Sequence, residues 1–341
     1  MHEVIRRWVA VAVLLTLGAA GAQGAGGASP AVSPVVSPVV SQAASQAASQ
    51  AASQAASTAA STAAGLPPFD HVFLIVLENR GYDQVIGNPD MPNLNALARR
   101  YALAADDHGV AHPSLPNYVA LISGDTWGSR SDDPAQRFSE PTLAGQLEAA
   151  GRSWKAYMQG LPSAGFQGAF AGPGGLYAKK HDPFLLFERI ANAPARAARV
   201  VPLQQLGADL ETGHAPAFAF IVPDQCHDMH GTSRCQDAHA LDRAGDAFVQ
   251  HWVQTIMASS AWRGNSAIVV TFDEAPQGVA SVLGLGANHV FTLVISREGP
   301  RGFTLHAPTD HYALLRTLEE AWGLPLLGRA AHAASMAPLF R

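Results

Sequence analysis

The 341-residue chain has two cysteines, Cys226 and Cys235, no block of Lys or Arg, and no apolar run long enough to cross a membrane. Two cysteines exclude a disulfide-stapled miniature scaffold or a zinc array. Lys and Arg together number 22 against 27 Asp and Glu, a net charge of -5, which argues against a nucleic-acid-binding module. The longest apolar stretch, from Trp8 to Ala20, is about 13 residues, against the roughly 20 that a spanning helix needs.

That stretch follows Arg6-Arg7 and precedes the small residues Ala20-Gly21-Ala22. This order of charged, apolar and small regions is that of a secretory signal over residues 1–22, cut after Ala22. Residues 23–66 are almost entirely Ala, Ser, Gln, Pro, Val, Thr and Gly, with Ser41, Ser45, Ser49, Ser53, Ser57 and Ser61 in a four-residue repeat. Such a segment has little to bury against the entropy of ordering, so a disordered tether is expected, with an end-to-end distance of roughly 35 Å. The expected product is secreted, with envelope association through the tether open to it. Residues 67–341 suffice for one large domain with a substantial core.

Within that domain, short apolar runs alternate with segments of helical period. Val72 to Leu77, Ala217 to Val222, Ala267 to Phe272 and Val290 to Ile295 read as strands buried on both faces. Met91 to Tyr101, the residues after Ser114, Thr142 to Ala150, Arg243 to Met257 and Tyr312 to Trp322 read as helices. The expectation is an α/β fold with a mostly parallel sheet covered by helices on both faces. Leu161 to Gly175, rich in Gly and Pro, is expected to be a loop over the strand ends.

Ligands of such sheets bind outside the carboxyl ends of the strands. Three strands here end in polar groups: Glu78-Asn79, Asp273-Glu274, and Pro223 to His230, which holds Asp224, His227, Asp228 and His230. Oxygen donors gathered at one edge suit a hard divalent cation. The cysteine pair brackets the third loop; in an exported chain a disulfide is the favoured reading, worth on the order of 2–3 kcal/mol, with a zinc pair the weaker one. Ser114, in His112-Pro113-Ser114-Leu115-Pro116-Asn117-Tyr118, falls at a helix start, where backbone N–H groups favour an anion such as phosphate; a plain N-cap is the alternative. A cation near this hydroxyl would lower its pKa and offset charge on a transferring phosphoryl group. His289 and His311 begin structural elements, where an imidazole can protonate a leaving alkoxide. His108, His181, His214, His251, His306 and His332 have no such placement and are set aside.

Taken in order, Glu78-Asn79-Arg80, His112 to Tyr118, Cys226 to His230, Phe272-Asp273-Glu274, Asn288-His289-Val290 and His311 to Thr317 resemble the motifs of the bacterial phosphoesterase family. That family includes secreted acid phosphatases, phosphatidylinositol-phosphate phosphatases and phosphocholine-preferring phospholipases C. The resemblance runs from about Phe69 to Gly328 and implies an alkaline-phosphatase-like fold. It implies that Glu78, Asn79, Asp273 and Glu274 hold one divalent metal ion (Ca, Mg, Mn or Zn), with Ser114 as the metal-contacting nucleophile. It further implies that His112, His230, His289 and His311 bind or protonate the substrate, with Asn117 and Asp228 as substrate-binding residues. Some relatives carry two aspartates where this chain has Asp273-Glu274, and the superfamily's two-zinc sites would make His289 and His311 ligands. Larger phospholipase members have long C-terminal regions, so the shorter chain is expected to be a phosphomonoesterase acting on a small-molecule or lipid phosphate ester. The alternatives are a phospholipase C and a non-catalytic, calcium-binding envelope module. No G-x-S-x-G elbow of an α/β-hydrolase occurs.

Overall fold

The computed structural model describes residues 65–277 and 288–341. The expected signal over 1–22 and nearly all of the expected tether over 23–66 lie outside them. The frame is a nine-stranded sheet built on β1 (His71–Leu77). The other elements that matter below are α1 (Pro92–Arg100), β2 (Ala102–His108), α2 (Ser114–Ser123), α3 (Leu143–Ala149), β3 (Trp154–Met158), β4 (Val200–Pro202), α4 (Gln204–Glu211) and β5 (Phe218–Val222). They continue with α5 (Ala238–Ala258), β6 (Ser266–Phe272), β7 (His289–Ser296), β8 (Phe303–Leu305), β9 (Thr309–Asp310) and α6 (His311–Trp322). The strand order is β8-β2-β7-β6-β1-β5-β3-β4, with β9 also pairing with β2.

Every residue of β1, β5 and β6 is buried, as strands covered on both faces require. Successive side chains of β1 feed two cores. Val72, Leu74 and Val76 pack with Leu115 of α2, Leu147 of α3 and Leu318 of α6. Phe73, Ile75 and Leu77 pack with Leu94 of α1, Leu206 of α4 and Val253 of α5. The six-residue apolar run is therefore one strand read from both sides, with period two.

β1 runs parallel to β5 and β6, and β3 runs parallel to β5 and β4. β7 is antiparallel to both of its neighbours, β6 and β2. Its first residue therefore stands at the edge where the parallel strands finish. This is how His289, which opens a strand, comes to the edge populated by residues that close strands. Helix α6 begins with Asp310 capping Ala313 N–H and ends at Gly323 in the left-handed region, as its sequence indicated.

The α6 face carries a buried carboxyl outside the site. Glu319 is fully buried, accepts the Leu327 N–H, and is pushed by burial from 4.5 up to about 8. A carboxyl whose folded-state pKa is raised favours the fold while protonated, so its contribution is present below pH 4.5 and is lost as pH rises toward 8. Glu319→Gln keeps an acceptor for Leu327 and cannot ionise. Urea unfolding at pH 5 and pH 8 should show the variant about 2–4 kcal/mol more stable than the parent at the higher pH and nearly equal at the lower.

Candidate active site

Three strand ends are stitched together by backbone contacts. Glu78 N–H donates to the Asp228 carbonyl at 2.8 Å, and Asp273 N–H to the Leu77 carbonyl at 3.0 Å. Asn79, in the left-handed region at φ 56, donates its N–H to Asp273 Oδ1 at 3.2 Å. The carboxylates of Glu78, Asp228, Asp273 and Glu274 are all buried at this edge. Asn79, expected as a ligand through its side chain, is tied to the cluster by its main chain. Cys226 and Cys235 form the expected disulfide, Cα–Cα 5.8 Å, so the zinc reading of that pair is excluded.

Ser114 is the first residue of α2 and is 1% exposed. Its Oγ makes no cap bond; it lies 2.9 Å from Glu78 Oε2 and 3.1 Å from Glu274 Oε1, and donates toward these two oxygens. The plain N-cap reading fails because Pro113 occupies the cap position. Glu274 Oε2 is in close contact with His112 Nδ1, which links that imidazole to the serine through one carboxylate. The helix N-terminus is not open to an anion along its whole turn, since Leu115 N–H donates to Asp132 Oδ1 at 3.0 Å.

The remaining expected residues divide. Asn117 is fully buried, with its Oδ1 accepting from Val110 and Ala111 N–H and its Nδ2 donating to the Ala111 carbonyl. Its amide thus shapes the turn that leads to Ser114. His311 is buried and its Nε2 meets the Asp273 carbonyl at 2.6 Å, so it braces the loop bearing the acidic pair. His289 stacks on Tyr82 at 4.6 Å with its Nε2 against the Ala105 carbonyl. His230 reaches the rim: Nδ1 bonds the Gly231 carbonyl at 2.9 Å and Nε2 lies 3.1 Å from Lys180 Nζ.

One residue set aside in the sequence belongs at the centre. His181 is 2% exposed, with Nε2 3.0 Å from Glu78 Oε1 and Nδ1 3.3 Å from Asp228 Oδ2, and its ring stacks on Tyr118. It arrives at the end of the Gly/Pro-rich segment, in the short turn Lys179–His181, whose three residues are all buried. Two lysines and a histidine beside Asp182 just after a loop expected to cover the strand ends was the available signal.

Glu78, Asp228 and Asp273 each have one oxygen held by the chain and the other without a hydrogen-bond partner, whereas both oxygens of Glu274 are engaged, by Ser114 and His112. The unpartnered atoms among the described residues include Glu78 Oε1, Asp228 Oδ2, Asp273 Oδ2 and His181 Nε2. Burial pushes Glu78 from 4.5 up to about 7, although Lys180 pulls it the other way. Burial and then the Glu78 charge hold Asp228 and Asp273 well above the usual carboxylate range. Burial, then Lys180 and His230, hold His181 well below the usual imidazole value and therefore neutral. Repelling acids with unpartnered oxygens beside a neutral imidazole are the donor set of a divalent cation, and the ligand atoms of Glu78, His181 and His230 lie within 4.8 Å of one another. Glu78 and the two histidines fit a divalent cation; of the ligands that the family resemblance implies, only Glu78 belongs to this group, and Asp273 and Glu274 are buried at the same sheet edge outside it.

A buried serine hydroxyl between carboxylates thus stands at the carboxyl edge of an α/β sheet. The chain belongs to the Phosphoesterase family, whose model matches residues 88–325. It is 32% identical over 269 residues to a phosphatidylinositol-3-phosphatase of Mycobacterium tuberculosis, covering 79% of this chain and 82% of the relative. It is 29% identical to a phosphate-repressible acid phosphatase of Penicillium chrysogenum, covering 76% of this chain and 61% of that protein, so the chain spans less than two thirds of the fungal relative. Among solved structures it resembles a protein of the alkaline phosphatase superfamily from Vibrio parahaemolyticus, TM-score 0.53, 14% identity, covering 81% of this chain and 70% of that one. A phosphonate monoester hydrolase from Silicibacter pomeroyi gives TM-score 0.51, 13% identity, and coverage of 80% and 76%. The fold is thus that of the alkaline phosphatase superfamily, and the chain is a hydrolase of phosphoric ester bonds in the family of the acid phosphatases.

Proposed function

We propose that this is a secreted, metal-dependent acid phosphatase that hydrolyses phosphate monoesters through Ser114. The observation that carries the reading is the Ser114 hydroxyl set between Glu78 and Glu274, beside carboxylate oxygens that have no other partner. In the first step the Ser114 Oγ–P bond forms as the bond from phosphorus to the leaving oxygen breaks. Glu274 accepts the hydroxyl proton, and the contact of His112 with the same carboxylate gives that proton a route toward the leaving alkoxide. Water then attacks phosphorus as the P–Oγ bond breaks, inorganic phosphate leaves, and a proton from the water returns to the Ser114 oxygen. Glu78, Asp273 and Glu274, with His181 against Glu78, would hold a divalent cation, which would lower the pKa of the Ser114 hydroxyl and offset negative charge on the phosphoryl group.

Secretion rests on the charged, apolar and small-residue order of residues 1–22. Among the described residues no helix is long and apolar enough to cross a membrane. The lipid-phosphatase relative makes a lipid monoester a substrate to include. The test is a panel of p-nitrophenyl phosphate, phosphatidylinositol 3-phosphate and phosphatidylcholine, run after chelation and single-metal add-back. Monoester turnover should fall about 100-fold or more on chelation and return with one metal. Release of phosphocholine with monoesters untouched would assign a phospholipase C instead. Absence of hydrolysis with every metal would leave only a cation-binding module.

A further inference from the structure

Lys180 is a charged side chain with an unusual address. It is 9% exposed, precedes His181, and its ammonium lies 2.8 Å from Asp132 Oδ2 and 3.1 Å from His230 Nε2. Asp132 in turn accepts Leu115 N–H through its other oxygen. The lysine is therefore tethered, through one carboxylate, to the first turn of the helix that begins with Ser114. An ammonium has three N–H donors, and among the described residues two have partners. The third has no hydrogen-bond partner among the described residues, and the imidazole that the ammonium touches has its ligand atom within 4.8 Å of those of Glu78 and His181; the Lys180 charge also acts on Glu78, Asp228 and Asp273.

The neighbouring imidazole cannot serve as donor there. His230 Nδ1–H is given to the Gly231 carbonyl and its Nε2 lone pair faces the Lys180 ammonium, so the ring is neutral and has no N–H to offer a phosphoryl oxygen. The charge of the site also asks for a second cation. The acids of the cluster already repel one another, as the Glu78 charge does Asp228 and Asp273, and a phosphate monoester brings more negative charge with it.

We propose that Lys180 is the second cation of this active site, a catalytic residue whose ammonium hydrogen-bonds the phosphoryl oxygens during transfer to Ser114, with Asp132 and His230 as its positioning residues. The inference rests on the phosphatase reading above. Lys180 keeps its proton throughout; the Oγ–P bond forms and the leaving-group bond breaks beside it, and the ammonium supplies only hydrogen bonds and charge. A divalent ion at Glu78, His181 and His230 would compete with Lys180 for the His230 lone pair, so the two occupants are alternatives.

The experiment compares the metal-loaded full chain with Lys180→Gln, Lys180→Arg and Asp132→Asn. It measures turnover of p-nitrophenyl phosphate, inhibition by inorganic phosphate, metal ions per chain, and thermal midpoint. Lys180→Gln should lower kcat about 100-fold and raise the inhibition constant of phosphate about tenfold or more, with metal content unchanged. Lys180→Arg should recover most of the phosphate affinity, because a guanidinium also offers charged donors. Asp132→Asn keeps the ammonium but loosens it, and should lower kcat by a smaller factor. Unchanged phosphate inhibition in Lys180→Gln, or in Asp132→Asn should the first variant not fold, would overturn the proposal; so would a second divalent ion bound by the parent at His230. A parent chain that neither hydrolyses the ester nor binds phosphate would overturn the phosphatase reading itself, an outcome distinct from a parent and a Lys180→Gln variant that are equally active.

Discussion

Ser114→Ala is expected to lower kcat/KM for p-nitrophenyl phosphate by roughly 10⁴-fold or more, the scale on which removal of a covalent nucleophile is felt when the other groups of a site act only in concert with it. The loss should fall on kcat, because the carboxylates, His181 and Lys180 that surround the substrate are untouched. The metal-free variant should lose about 1–3 kcal/mol of stability, because Glu78 Oε2 and Glu274 Oε1 lose their buried donor, while the turn before residue 114 stays held by the Asn117 amide. The variant should therefore remain folded, with a modestly lower thermal midpoint, while losing turnover. Retention of near-parent turnover would remove Ser114 from the mechanism.

Asp273→Asn should act on activity and stability in opposite directions. Its carboxylate is fully buried, takes the Asn79 N–H through Oδ1, and leaves Oδ2 without a partner among four acidic groups. Asparagine has the same shape and keeps the acceptor for Asn79, but it removes a charge that burial and Glu78 oppose. The metal-free variant should be more stable than the metal-free parent at pH 7, by about 1–3 kcal/mol, since an unpaired buried charge is replaced by a neutral group. The sign comes from the raised pKa of Asp273: its folded-state contribution is present when it is protonated and is lost as pH rises. With metal present the order reverses, because ligand binding stabilises in proportion to the logarithm of metal over its dissociation constant and the variant binds it weakly. Turnover should fall about 10³-fold. Thermal melts of both proteins with chelator and with added metal, beside a titration of metal against activity, check all three statements; a variant with parent metal affinity would take Asp273 out of the metal site.

Ser114 and Asp273 are legible in the sequence without the fold, and the reason is local. An apolar run of strand length that stops on a carboxylate carries its own address, because the sheet buries the run and the edge receives the residues that come after it. Glu78, Asp273 and Glu274 are found in that way, and Ser114 by the helix that begins at it. The disulfide is read from two cysteines and an expected compartment. His181 and Lys180 have no such address. They come at the end of an irregular segment of Gly, Pro and Ala whose path depends on contacts with the Gln225 region, where Gln225 N–H bonds the Leu176 carbonyl. No periodicity encodes that path.

Asn117 and His289 show the converse. Both stand in sequence positions that suit a ligand, yet the Asn117 amide closes a turn and the His289 ring packs on Tyr82. A polar side chain beside an active residue has two outlets, the substrate and its own backbone, and only the three-dimensional course of the chain decides between them. By itself the sequence determined four strands of the sheet, β1, β5, β6 and β7, and the acids that follow β1, β5 and β6, because burial and period are written residue by residue; β2, β4, β8 and β9 were not legible in it. The tertiary structure alone decided that β7 runs against the rest, that His181 lies between Glu78 and Asp228, and that a lysine is tethered through Asp132 to the helix that begins with Ser114. Those are relations between segments far apart in the chain, and they exist only once both cores have closed.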